Sequence, residues 1–314
     1  MMLSRIADAL YWLDRYLERT DGILRTLRTE YVLSLDKSGE GTTSWRPVLH
    51  MFSQADEDQL TRLEFNTTES LHYIIADTSN TNSLRALLTR ARENARGAQD
   101  HITKEVWEQV NHVYHFVNAP GVQRKLEGQH ALPLLDELTQ MVTLYKGVTD
   151  STMPRSLGWS FMNLGKFVER CMLTLELTDR YLHDLNYNLD EHRDILYWRK
   201  LLLSLSGYEM HLKTYRNTQH THNVTDQVFF NQHFTRSIRY ALDKIDNYLR
   251  DVTDVNSPAE KERLCREFGR LRYRMEYADL DLVKQVEPKQ FLQEIRAQLI
   301  QFNKLLTQVF FSYA

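Results

Sequence analysis

Cysteine is scarce in this 314-residue chain: only Cys171 and Cys265 occur, too few for a disulfide framework and without the close neighbours of a zinc or thioredoxin-like motif. Both read as small buried apolar residues. Glycine (11) and proline (6) are also few, and no long stretch alternates with the two-residue period of a strand, so helix is the reading nearly throughout. Charge of one sign is lacking as well. The 39 basic and 42 acidic residues are interspersed and sum to −3, which leaves no basic field for a phosphate backbone and argues against nucleic acid as a partner. No window is long and apolar enough to span a membrane, and Met1-Met2-Leu3-Ser4-Arg5 runs straight into charged amphipathic sequence without the apolar core of a signal peptide. The expected location is the cytoplasm, with no membrane partner. A glycine-rich phosphate loop is absent too, and no cofactor is expected.

What is present is helical periodicity. Leu3, Ile6, Leu10, Leu13, Leu17, Leu24, Leu27 and Tyr31 form one stripe, which predicts a first helix from about Ser4 to Ser34, ended by Ser38-Gly39-Glu40-Gly41. Short helices follow near 45–53, with Pro47 in the first turn, and near 56–64 and 67–77. Asn80-Thr81-Asn82-Ser83 can cap a helix running to about Ala98, and Thr103 opens another that Asn118-Ala119-Pro120-Gly121 stops. A helix from Gln123 to Lys146 is expected to end at Gly147. Beyond it the pattern predicts helices at about 156–186, 191–217, 223–231, 235–252, 258–279 and 288–312. The expected fold is an all-α helical bundle.

Several features recur half a chain apart. Arg15-Tyr16-Leu17-Glu18-Arg19 matches Lys166-Phe167-Val168-Glu169-Arg170, and Trp45-Arg46 with Leu49 matches Trp198-Arg199 with Leu202. Asn82-Ser83-Leu84-Arg85 with Leu88 matches Arg236-Ser237-Ile238-Arg239 with Leu242, and Thr103 matches Ser257. Anchors in one order with little drift predict an internal duplication. The two multi-helix halves are expected at 1–150 and 151–314, together making one compact unit.

Asp8, Tyr11, Trp12, Arg15, Glu18, Arg19 and Gly22 step by three and four and so share one side of the first helix. Exposed ion pairs contribute only about 0.3–0.5 kcal/mol and would drift after a duplication. Recurrence of Glu18-Arg19 as Glu169-Arg170 therefore predicts that both pairs are at least partly buried, where loss of one partner costs several kcal/mol. A second cluster, Arg90 to Arg96 with Arg92, Glu93 and Asn94, lies beside Ala91, Ala95 and Ala98. Its arginine forks can pair with Glu18 or Glu169 on neighbouring helices, or offer bidentate donors to a carboxylate or phosphate of a ligand. His112 and His115 on one helical face, and His220 and His222 with His211 nearby, could recruit a metal, but neither set has a recognised carboxylate or cysteine spacing; they read as surface or capping histidines, and no metal is expected. Ser83 and Ser237 read as helix caps rather than nucleophiles.

These residues resemble the bacterial Alpha-E family, a helical domain of unknown function with a Glu-Arg motif. The resemblance is carried by Leu3-Ser4-Arg5, Ala7-Asp8, Tyr11-Trp12 and Arg15 to Arg19, by Ser83 with Ala91 to Arg96, and by Trp107 to Asn111. Gly158 to Phe161, Leu164-Gly165, Glu169-Arg170 and Arg236-Ser237-Ile238 complete it, over essentially the whole chain. Thr235 stands where that pattern has proline, and Thr20 and Cys171 where it has alanine. The resemblance implies a helical protein encoded beside, or fused to, a circularly permuted ATP-grasp protein, often with a transglutaminase-like protease nearby. The expected role is an accessory or partner component in ATP-grasp-dependent synthesis or modification of peptide or amide bonds, binding the ligase or its peptide substrate. Two alternatives stand beside it. One is an enzyme forming or cleaving amide bonds with Glu18 or Glu169 as general base, and the other is a purely structural scaffold. The residues expected to form the ligand site or charge network are Arg5, Asp8, Arg15, Arg19, Arg92, Glu93, Asn94, Arg96, Arg170 and Arg236.

Overall fold

Helix starts in this chain are set largely by side-chain caps. In a computed structural model describing residues 2–36, 44–253 and 258–311, the side chains of Asp56, Asn66, Ser83, Thr103, Asp194 and Asp279 each accept the amide three residues on. Each such bond satisfies a donor that a helix start otherwise leaves open. The first half holds α1 (Ser4–Asp36), α2 (Arg46–Phe52), α3 (Glu57–Leu63), α4 (Thr67–Ile75), α5 (Leu84–Gly97), α6 (Lys104–Val117), α7 (Val122–Lys125) and α8 (Ala131–Thr152). The second holds α9 (Leu157–Asp184), α10 (Ile195–Ser204), α11 (Tyr208–Thr214), α12 (His220–Phe229), α13 (Ile238–Thr253), α14 (Pro258–Glu276), α15 (Leu280–Val286) and α16 (Pro288–Leu306). No strand occurs among the described residues. The fold is all-α.

Three expectations change. The helix read from Gln123 begins instead at Ala131 and runs through Gly147 to Thr152. A mid-helix glycine costs about 1 kcal/mol, but Leu138, Val142, Tyr145 and Thr149 keep one buried face past it, and packing wins. The segment 191–217 breaks at Ser206, where φ is +55°, and a Cβ on the next residue, Gly207, would lie 2.7 Å from Phe234 Cζ. Only glycine fits there, and the chain turns into α11. The helix expected over 258–279 stops at Glu276, and Asp279 caps a further helix, α15, not read from the sequence. The predicted stop at Ser38 to Gly41 and the Ser257 anchor lie outside the described residues.

The chain divides into two compact units: Trp12–Pro154, and Met1–Tyr11 with Arg155–Ala314. The first boundary therefore falls inside α1 rather than at a loop. In the Trp12–Pro154 unit α6 packs against both α5 and α8. In the other unit α9, α13, α14 and α16 pack in a closed cycle, with Phe268 and Phe302 meeting at 4.8 Å between ring centroids. Tyr11 belongs to that unit, donating to Asn303 Oδ1 at 2.7 Å and meeting Phe311 at 5.2 Å.

The sequence-matched anchors are alike in burial. Trp45 and Trp198 are buried, as are Leu49 with Leu202 and Leu88 with Leu242. Ser83 caps α5 by accepting from Ala86 N, and Ser237 accepts from Tyr240 N at the start of α13.

Candidate functional site

In the Trp12–Pro154 unit, Asp14, Glu18 and Asp21 step by four and three along α1 and are all buried. Three carboxylates on one buried face need partners, because an isolated buried charge is strongly unfavourable. α8 supplies them. Lys146 Nζ lies 3.0 Å from Glu18 Oε2 and 2.9 Å from Asp21 Oδ2, and Tyr145 Oη donates to Asp14 Oδ1 at 2.5 Å. Arg25, one turn on, reaches both oxygens of Asp21, at 2.8 and 3.1 Å. Burial, and then the charge and hydrogen bond of Asp14, hold the Tyr145 phenol well above its ordinary range. Arg19 points elsewhere round the helix and approaches Asn82 Oδ1 at 3.5 Å, while Arg15 lies over Trp12.

The Arg92 cluster is separate. Arg92 Nε donates to Asn111 Oδ1 at 2.7 Å and Nη1 to Glu93 Oε1 at 3.2 Å, with the guanidinium 4.7 Å from the Tyr114 ring and 5.8 Å from Trp107. Glu93 also pairs with Arg96, and both are exposed. Asn94 is half-buried. Within its own unit Arg92 gives its Nε donor to Asn111, one turn beyond Trp107 on α6, rather than to Glu18. Among the described residues no acceptor takes the Arg92 Nη2 group.

In the other unit, Glu169 and Arg170 lie on α9 with only 2% and 8% of their surface exposed. Arg170 Nη1 donates to the Thr235 carbonyl at 3.3 Å, and the guanidinium lies over Phe167. Thr174 Oγ1 donates to the carbonyl of Arg236, itself buried. A threonine at 235 serves as well as proline here, since the contact uses only the carbonyl. Thr20 and Cys171, the other two departures, are both fully buried, and burial pushes the Cys171 thiol up to about 12. That thiol is no nucleophile at neutral pH. Arg5 is exposed and Asp8 half-buried on the part of α1 that belongs to this unit.

Residues 2–311 match Alpha-E, described as a predicted alpha-helical domain with a conserved ER motif. The chain belongs to the Alpha-E family. This Alpha-E chain is also 22% identical, over 290 residues, to Uncharacterized protein Rv2567 of Mycobacterium tuberculosis and to Uncharacterized protein Mb2597 of Mycobacterium bovis. The match takes in 85% of the chain and 32% of each relative, so the chain spans about a third of their length. No solved structure matches it. Of its Glu-Arg dipeptides, Glu18-Arg19 and Glu169-Arg170 start from buried glutamates, whereas Glu262-Arg263 is exposed.

Sequence reading of this Alpha-E chain missed Asp14, Asp21, Arg25, Tyr145 and Lys146. A signal was there for two of them: Asp14 and Asp21, with Glu18, interrupt the apolar stripe at helical steps, and acids inside such a stripe require buried cations. It missed too a network joining α13 and α14, in which Asp243 pairs with Arg239 at 2.9 Å and Arg272 at 3.0 Å, and Glu276 with both arginines. No helix among the described residues is long and apolar enough to cross a membrane.

Proposed function

We propose that this chain is a cytoplasmic accessory component of an ATP-grasp-dependent system that makes or modifies peptide or amide bonds, and that it binds the ligase or its peptide substrate. The observation that carries the reading is Arg92. Its guanidinium is oriented by Asn111 and Glu93, faces two aromatic rings, and is partly open to solvent with Nη2 unspent. A pre-ordered fork of this kind suits a carboxylate of a peptide or partner surface, because little side-chain entropy remains to be lost on binding. Relatives in which the matching region is a third of a longer polypeptide also fit a component that works beside others. The like burial and capping of the repeated anchors supports descent of the two halves from one helical unit.

The buried cluster favours a structural part for Glu18, since its Oε2 is engaged by Lys146. A general base needs that oxygen available to substrate. The test is co-expression with a circularly permuted ATP-grasp protein, comparing wild type, Glu18→Gln and Arg92→Lys for complex formation and for ATP-dependent product. Arg92→Lys keeps the charge and loses the fork, so weakened assembly with an unchanged fold is the expected result. Variants that fold and assemble normally yet give no product would instead make the chain a catalyst.

A further inference from the structure

Two histidines set aside in the sequence as surface or capping residues meet at the α11–α12 turn. His211, in the last turn of α11, is 0% exposed, and His220 opens α12 half-buried. Their ring centroids lie 5.9 Å apart with planes at 43°. Gln227, also fully buried, fixes the first ring: its Nε2 donates to the Gly207 carbonyl at 2.9 Å, which turns its Oε1 toward His211 Nδ1, also at 2.9 Å. His211 Nδ1 therefore carries a hydrogen. A second hydrogen on Nε2 would be a buried donor with no acceptor, so Nε2 keeps its lone pair. His211 Nε2 and His220 Nδ1 are both buried and have no hydrogen-bond partner. The adjacent groups are already engaged: Tyr215 stacks on His211 at 5.2 Å, and its hydroxyl donates to Asp226 Oδ2 at 2.7 Å.

An unpaired buried polar atom costs about 1–3 kcal/mol, and here two such atoms sit on neighbouring rings. We propose that His211 Nε2 and His220 Nδ1 bind one borderline divalent transition-metal ion of the Zn²⁺ class, with water completing its coordination. Imidazole nitrogens about 2.0–2.1 Å from a shared ion place the two ring centres about 5–6 Å apart. The observed separation lies in that range. The Gln227 bond to the opposite nitrogen of His211 is the outer contact that metal-binding histidines use to fix tautomer and ring direction. Half-exposure of His220 gives the ion a way in. Among the described residues no group of three or more histidine, cysteine or carboxylate ligands forms, so the two imidazoles are the protein's whole share of the coordination.

Metal-free full-length protein titrated with CoCl₂ and ZnCl₂ tests this. Wild type is expected to bind one equivalent of Co²⁺, with visible ligand-field absorption that Zn²⁺ displaces. His220→Asn, at the half-exposed position, should weaken binding at least tenfold, and Gln227→Leu by about tenfold, with helical circular dichroism unchanged. Absence of saturable Co²⁺ or Zn²⁺ binding to wild type overturns the proposal and makes water the occupant. Binding by both variants equal to wild type overturns it too, placing the ion on exposed histidines such as His222.

Discussion

A single ammonium, Lys146, sits against two buried carboxylates, and its removal is the sharpest residue-level test. Lys146→Met keeps the stem but removes the cation that buried Glu18 and Asp21 share, and breaking a buried pair in this way costs about 3–5 kcal/mol. Chemical denaturation should show the loss as a lower midpoint. Tyr145 makes a different prediction. Its proton is held above the ordinary value of 10.0, so the folded chain keeps it at pH values where the unfolded chain releases it. The stabilisation is complete below pH 10 and declines as pH rises above it. Tyr145→Phe should lower stability at neutral pH by about 1.5–3 kcal/mol, the value of a hydrogen bond to a charged group. It should also flatten the alkaline loss of stability. Tyr187, Tyr197 and Tyr215, each pushed up to about 12 chiefly by burial, keep part of that slope in the variant.

Several helix starts were legible from the short polar side chain that caps them, because capping is a local event that three or four residues decide, although the Asp279 cap of α15 went unread. Ser83 before α5 and Thr103 before α6 are of this kind. Ser237 bonds in two directions, accepting from Tyr240 N and donating to the Asn231 carbonyl at 2.7 Å. Ser83→Ala should cost about 1 kcal/mol and Ser237→Ala more, and thermal melts of the two variants would rank them. Helix ends were harder to read. Gly147 looked like a terminator because glycine often is one, but the buried face of α8 continues beyond it. Gly207 is needed for a reason no local pattern contains, the ring of Phe234 arriving from 27 positions away.

At the scale of the molecule, the first eleven residues belong with Arg155–Ala314 rather than with the segment that follows them. Tyr11 is 2% exposed, packed against Phe311 and bonded to Asn303. Tyr11→Ala should therefore destabilise by about 3–5 kcal/mol, as removal of a large buried ring does. Hydrogen exchange should show the loss in α9 and α16. Exchange changes confined to residues 12–154 would refute that assignment. The sequence by itself determined the all-α class, the main stripes, the caps and the burial of the Glu-Arg glutamates, since side-chain period and capping act over one or two turns. Tertiary structure alone decided that Lys146 answers Glu18, that Asn111 joins Glu93 in orienting Arg92, and that His211 meets His220. A helix face fixes which of its residues point the same way, but what covers that face depends on how distant segments close on it, and no neighbour in the chain records that.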